Sequence, residues 1–386
     1  MADATSDPTP RATRFFEIGP ERPLRLGSGV ELPVEIAYQT WGELSPNADN
    51  AILVVHALTG SQHAAGFNPA IDRVGRRWTD EMQVGWWDAF IGPGKVYDTN
   101  RWFVVCANYV GGCFGSTGPT TTNTSTGEWW GCDFPRVTFA DSVHSQARLL
   151  DHLGIRRLRA IVGPSTGGMA CINFATLYPE RVERVILIAT GMRSTTLQRI
   201  HNFEQIRAIE SDPGYLGGRY APGEGPFAGM AVARMISHKT FVSLEALSER
   251  SLSEVRAPSR LDGLWYGVTH PLESYMLHQG EKFARRFDAN SYLRILDAWN
   301  RFDPLADAGV DDPVELFARC REQRYLIFSI DSDVCYYPEE QVEIAHVLRR
   351  AGVERIHITV HSEKGHDSFL LEPELYGPHV SHLLAS

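Results

Sequence analysis

Short apolar runs rich in β-branched residues alternate with amphipathic stretches along most of this chain, and that alternation limits the fold more than any other feature. Val34 to Tyr38, Ala51 to Val55, Trp102 to Cys106, Leu158 to Val162 and Val185 to Ala189 read as strands, each followed by turn or loop residues. Phe139 to Leu153 has apolar spacings of three and four and reads as a helix; Gly167 to Tyr178 is a second, ended by Pro179. Strands joined through helices build βαβ units and a mostly parallel sheet, the α/β class. The alternation stops near Thr190, and up to about Glu322 the residues look helical and irregular, with Pro- and Gly-rich breaks from Asp212 to Pro226. It resumes with strand Tyr325 to Ile330, helix Glu339 to Ala351, strand Arg355 to Val360 and helix Glu374 to Leu384. The expected organisation is a loose tail over residues 1–14, one sheet domain formed by 15–190 with 322–386, and a helical lid insertion over 191–321. Such an insertion, roughly 130 residues, is far longer than an ordinary loop.

Charge and composition exclude several functions. The chain carries 47 acidic and 37 basic side chains, a net −10, so no basic surplus exists to neutralise nucleic-acid phosphates. Its apolar runs are too short to cross a bilayer. The first residues lack the basic and apolar segments of a signal peptide, so the expected location is the cytoplasm, without a membrane partner. Six scattered cysteines with no CxxC pair read as reduced thiols and argue against a structural zinc site. No metal and no bound cofactor are expected.

Gly163-Pro164-Ser165-Thr166-Gly167 fits G-x-S-x-G and lies between the buried strand ending at Val162 and the helix that follows. That strand–turn–helix setting is a nucleophile elbow, and it makes Ser165 the candidate nucleophile. A serine needs a base and an orienting acid, in chain order Ser, Asp, His. The strand Tyr325 to Ile330 empties into Asp331-Ser332-Asp333, and the last strand runs into His361 and then Gly365-His366-Asp367. His366 follows a glycine in the loop before the final helix and is the candidate base; His361 reads as structural. Asp331 and Asp333 have the same parity, so spacing leaves both open. Backbone N–H donors for an oxyanion are expected from Thr166 and from Leu58, which follows an earlier strand end. His56 and Cys171 read as buried packing. Ser61 and Ser116 are other hydroxyls, and Ser116 lacks the elbow pattern.

At these residues the chain resembles the homoserine O-acetyltransferase family of the α/β-hydrolase superfamily. The matching strings run through nearly the whole sequence: His56-Ala57-Leu58-Thr59-Gly60; Gly85-Trp86-Trp87-Asp88; Gly111-Gly112-Cys113 with Gly115-Ser116-Thr117-Gly118-Pro119; Ala233-Arg234-Met235-Ile236; Gln279-Gly280-Glu281-Lys282-Phe283 leading to Arg286-Phe287-Asp288-Ala289-Asn290-Ser291-Tyr292; and Gly365-His366-Asp367-Ser368-Phe369-Leu370. The resemblance implies an α/β-hydrolase fold with a helical lid over the serine, and a homodimer joined through that lid. It selects Asp333 as the partner of His366. It places Arg234 on the carboxylate and Asp367 near the amino group of homoserine, with acetyl-CoA as acyl donor.

The sequence departs from the family's pattern at four places. Thr166 stands where the elbow has Met. Phe241 stands where a tyrosine is usual, and Ser237 where a glycine is usual. In Asn202-Phe203-Glu204-Gln205-Ile206-Arg207, Phe203 and Ile206 occupy the usual Glu and Arg positions, and Arg207 points about 100° away from its usual place. Loss of polar groups from a site built for a small amino acid erodes its selectivity. The reading this favours is a serine hydrolase of short-chain carboxylic esters such as acetyl esters. The alternative is homoserine O-acetyltransferase activity. A non-catalytic ligand-binding fold needs a broken triad, which the sequence does not show.

Overall fold

In the computed structural model, which describes residues 12–253 and 265–385, eight strands form one sheet. They are β1 (Arg14–Ile18), β2 (Val34–Trp41), β3 (Ala51–Val54), β4 (Phe103–Ala107), β5 (Ala160–Pro164), β6 (Arg184–Ile188), β7 (Arg324–Ile330) and β8 (Glu354–Val360). Their order across the sheet is β1-β2-β4-β3-β5-β6-β7-β8. The pairs β1–β2 and β2–β4 are antiparallel; every other pair is parallel. The expected tail lies mostly outside the described residues. Its last residue, Arg14, does not belong to a tail: it pairs with Tyr38 as the first residue of β1.

Both faces of the sheet are covered. In β3, Ala51 and Leu53 pack into one apolar layer and Ile52 and Val54 into the other, which is why the strand reads as an unbroken apolar run. Helix α1 (Phe139–His152) opens with a capping box, in which Thr138 and Asp141 satisfy each other's backbone N–H groups. Helix α2 (Thr166–Leu177) is almost wholly buried.

The helical excursion begins after β6. It contains α3 (Thr196–Glu210), α4 (Phe227–Phe241), α5 (Leu244–Ser253), α6 (Pro271–Arg286) and α7 (Ala289–Asn300), with α4 packed between α3 and α6. The end of the expected lid behaves differently. Helices α8 (Pro304–Ala308) and α9 (Pro313–Ala318) pack against α2 and against α10 (Pro338–Ala351), on the sheet side. Asn173 donates to Asp307 at 3.1 Å and Gln323 to the Ala175 carbonyl at 3.0 Å, which fastens this stretch to α2. The lid proper therefore ends near Asn300 rather than at residue 321. The chain closes with α11 (Ser368–Leu371) and α12 (Pro373–Ala385).

Candidate active site

Ser165 sits between β5 and α2 with φ 57° and ψ −131°, a conformation that L-residues rarely adopt. Close packing imposes it. A Cβ on Gly167 would lie 2.3 Å from the Val55 carbonyl oxygen, and one on Gly163 would lie 2.4 Å from Gly167 backbone atoms. Only glycine at both positions lets the turn press against β3. The Ser165 backbone N–H donates to the Ile188 carbonyl at 2.9 Å, and its hydroxyl makes no capping bond to α2. The side chain lines a cavity of about 190 Å³ between sheet and lid.

His366 lies in a one-turn 3-10 helix, Gly365–Asp367, and is 3% exposed. Its Nδ1 meets Asp333 Oδ2 at 2.6 Å. The other carboxylate oxygen of Asp333 accepts the backbone N–H groups of Cys335 at 2.7 Å and Tyr336 at 3.0 Å, so both oxygens of this buried acid are engaged. His366 Nε2 is buried and free of hydrogen bonds, and the imidazole lines the cavity shared with Ser165. Its ring stacks on Tyr336, lies tilted 6.0 Å from the Phe241 ring and meets Phe369 edge-on. Asp331 goes elsewhere: it pairs with the exposed His361 at 2.8 Å.

Leu58 and Ser165 line the same cavity, and Thr166 is the first residue of α2, directly after Ser165. The loop that carries Leu58 is fixed by Tyr109, whose hydroxyl donates to the His56 carbonyl at 2.6 Å. His56 itself is buried, lies tilted against the Tyr109 ring and has its pKa lowered to about 4 by burial. The remaining candidates are structural. Ser116 Oγ accepts from Ala37 N–H and donates to the Asn108 carbonyl, Ser61 Oγ accepts from His63 N–H, and Cys171 is buried inside α2.

Arg234 from α4 and Asp367 line the cavity together with Phe241. Burial lowers the Arg234 pKa, and burial raises that of Asp367 while Arg234 opposes the rise. Among the described residues the two form no ion pair within 4.0 Å. The Arg234 guanidinium instead lies over the rings of Phe241, 5.0 Å from the centroid, and Phe283 at 5.5 Å. A third charged group was not singled out from the sequence: Arg286, the last residue of α6, also lines the cavity. Burial, then Arg234, lowers its pKa to about 10. An arginine ending a helix ordinarily faces solvent and complements the helix dipole, so although Arg286 opens one of the family-like strings, nothing in its spacing marked it as a site residue. Trp86 and Trp299 also line the cavity.

Comparison with known proteins agrees with this architecture. The family profile for the alpha/beta hydrolase fold matches residues 50–345. A homoserine O-acetyltransferase of Mesorhizobium japonicum is 40% identical over 378 residues, covering 97% of this chain and 92% of the relative. The chain belongs to the homoserine O-acetyltransferase family of α/β hydrolases. A homoserine O-succinyltransferase of Cellvibrio japonicus is also 40% identical, over 100% of this chain and 98% of the relative. Among solved structures, esterase E22 superposes with a TM-score of 0.84 at 24% identity, covering 96% of this chain and 99% of that one. Like the family, the chain is an enzyme of serine-based acyl transfer.

Within the homoserine O-acetyltransferase family, the four departures of this chain fall at different depths. Phe241 lines the cavity. Phe203 does not: it is 61% exposed on α3. Ile206 packs against the apolar core and is not part of the cavity wall. The polar groups of that helix point inward instead. Asn202 donates to Asn300 at 2.9 Å, and Gln205 accepts from the Tyr292 hydroxyl. Ser237 is buried and donates to the Arg234 carbonyl at 3.1 Å, one turn back in α4. The Thr166 hydroxyl is buried without a hydrogen-bond partner. The expectation of a broadly less polar pocket therefore fails, because two of the apolar replacements lie outside it and three charged groups remain inside.

Proposed function

We propose that this enzyme is a homoserine O-acyltransferase that works through an acyl-enzyme on Ser165. The observation that carries the reading is the pairing of Arg234 and Asp367 in one cavity without an ion pair between them. A half-buried cation and a half-buried anion, held apart, match the carboxylate and ammonium of an amino-acid acceptor; water needs neither. The relatives with 40% identity, named for homoserine O-acetyl and O-succinyl transfer, support it further.

The chemistry runs in two halves. Ser165 Oγ attacks the thioester carbonyl of an acyl-CoA while His366 Nε2 takes its proton. Backbone N–H groups of Leu58 and Thr166 hold the oxyanion. Collapse breaks the carbon–sulfur bond, and His366 returns the proton to the leaving thiolate. The acceptor hydroxyl then gives its proton to His366 and bonds to the acyl carbonyl carbon; collapse breaks the bond to Ser165 Oγ, which takes that proton back, and the O-acyl product is released. Asp333 orients the imidazole and stabilises its charged form.

Ester hydrolysis, the reading the sequence favoured, uses the same acyl-enzyme with water as acceptor. Incubation with acetyl-CoA or succinyl-CoA, with and without L-homoserine, separates them. CoA release that requires homoserine is expected; thioester or aryl acetate cleavage at the same rate without homoserine overturns the transferase reading. The enzyme is proposed to act in the cytoplasm as a homodimer through its lid. The exposed side chains of Leu197, Ile200 and Phe203, spaced by three on α3, support that mode. Light scattering at the monomer mass would contradict it.

A further inference from the structure

Behind the two segments that carry the Leu58 and Thr166 N–H groups lie three polar side chains, those of Thr166, Tyr109 and His56. All three residues are buried, and none lines the catalytic cavity. The Thr166 hydroxyl has no regular hydrogen bond. Buried hydroxyls are nearly always bonded, so this one requires an explanation.

Several observations place the Tyr109 phenol beside it. Tyr109 Oη donates to the His56 carbonyl at 2.6 Å. A Cβ on Gly167, the residue after Thr166, would lie 2.9 Å from that same carbonyl oxygen. Burial pushes the Tyr109 pKa well above its ordinary value, and the Thr166 hydroxyl opposes that rise. A hydroxyl that eases ionisation of a phenol donates to its oxygen. Tyr109 Oη can accept that proton while giving its own to His56.

The His56 carbonyl stands one peptide before the other oxyanion donor. The Tyr109 ring packs on the His56 imidazole, with centroids 4.1 Å apart. Burial keeps that imidazole neutral, and its Nδ1 meets the Ala57 carbonyl at 2.8 Å. A carbonyl only accepts, so the ring proton sits on Nδ1. Gly60 N–H donates to the same carbonyl at 3.0 Å. Ala57 C=O and Leu58 N–H share one trans peptide and point in opposite directions. Holding the carbonyl twice therefore sets the direction of the Leu58 N–H.

We propose that Thr166 and Tyr109 are positioning residues of the oxyanion hole. The Thr166 hydroxyl donates to Tyr109 Oη, Tyr109 donates to the His56 carbonyl, and the peptide that carries the Leu58 N–H is held in register with the Thr166 N–H. No proton moves along this chain; its bonds polarise one another in a site without water. The inference rests on the acyl-enzyme reading and is independent of which acceptor follows. It gives a role to the departure in the elbow, where a hydroxyl replaces the usual Met side chain.

The test follows acylation of Ser165 alone, by quenched mass spectrometry with acetyl-CoA, succinyl-CoA and 4-nitrophenyl acetate. Thr166→Val removes the hydroxyl at constant shape and should slow maximal acylation about three- to tenfold, the range for one buried neutral hydrogen bond. Thr166→Ser should recover most of that loss. Tyr109→Phe should lose at least as much, and the double variant should be no slower than Tyr109→Phe alone. The half-saturating donor concentration and the pH midpoint set by His366 should stay in place. Should Thr166→Val not fold, Thr166→Ala removes the same hydroxyl. Acylation at the wild-type rate without the hydroxyl, losses that multiply in the double variant, no recovery with Ser, or a moved pH midpoint each overturn the proposal. If the wild type forms no acyl-serine from any donor, the acyl-enzyme reading falls instead. Crystal structures of the wild type and the hydroxyl-free variant then decide the chain separately. A Thr166–Tyr109 oxygen separation below about 3.0 Å, with an Ala57–Leu58 peptide that turns in the variant, supports it; an unmoved peptide overturns it.

Discussion

Two acid–histidine pairs form beyond the carboxyl ends of β7 and β8, and only one of them is buried. Asp331 with His361 stands in solvent, whereas Asp333 with His366 is enclosed and every oxygen of the acid is bonded. Strand periodicity could not separate the two acids, because the difference arises in the turn after the strand. There Asp333 N–H donates to the Ile330 carbonyl, and its carboxylate caps the next backbone groups. Ser165, by contrast, was legible, because the glycines around it leave a sharp turn as the fitting conformation. Replacing Ser165 with Ala should abolish acyl-enzyme formation, measured by mass spectrometry after mixing with acyl donor; a retained acyl adduct would contradict its role. Asp333→Asn keeps the shape but fixes the wrong imidazole tautomer, and should lower kcat by about 10³ to 10⁴. A loss below tenfold in steady-state assays would show that Asp333 does not orient the base.

At the scale of elements, the lid is fastened to the base loop rather than hinged freely above it. A Cβ on Gly365 would lie 2.7 Å from Ser243 N and 3.0 Å from the Val242 carbonyl carbon, and Gly365 itself has φ +68°. Ser243 Oγ also donates to the Glu363 carbonyl. The end of α4 and the turn that carries His366 are therefore one packed unit. Gly365→Ala must push them apart and strain the backbone as well. We expect a lower melting temperature together with a lower kcat, and a fully active variant with unchanged melting would show that the contact relaxes without moving His366. The sequence marked every sheet strand from β2 onward to within a few residues, since each is a short apolar run between turns. It marked the lid's far boundary poorly. Helices α8 and α9 are short and polar on one face, and only their contacts with α2 and α10 show that they belong to the sheet side.

Across the whole molecule, buried titratable groups pull stability in opposite directions with pH. Glu340 bridges the lid to the loop after β7, accepting from Gln198 and from Tyr337 N–H, and burial raises its pKa to about 7. The folded protein thus keeps a proton that the unfolded chain loses near pH 4.5, so this contribution falls as pH rises from about 4.5 to 7. His238 behaves oppositely. Burial lowers its pKa to about 3, so only the unfolded chain takes up a proton near pH 6.5, and stability falls as pH drops below that value. At pH 5 the histidine term amounts to about 2 kcal/mol. Urea unfolding of Glu340→Gln at pH 5 and pH 8 should show the variant gaining about 3 kcal/mol on the wild type between the two values. Parallel behaviour of the two proteins would mean that Glu340 ionises normally in the fold.

The interruption in the sheet has one more consequence. Strands β6 and β7, which flank the lid together with α8 and α9, are direct neighbours, and Ala189 N–H still donates to the Phe328 carbonyl at 2.9 Å. The sheet closes beneath the excursion as it would around a short loop. The entropy of closing a loop grows only slowly with its length, so this junction tolerates cassettes of very different size. Ser165, Asp333 and His366 all lie outside the cassette, whereas Arg234, Phe241 and Arg286 lie inside it. The proposed acyl-transfer residues thus lie on the sheet side, while the proposed acceptor contacts other than Asp367 lie on the excursion, and exchanging one lid for another is a route to a new acceptor on the same sheet.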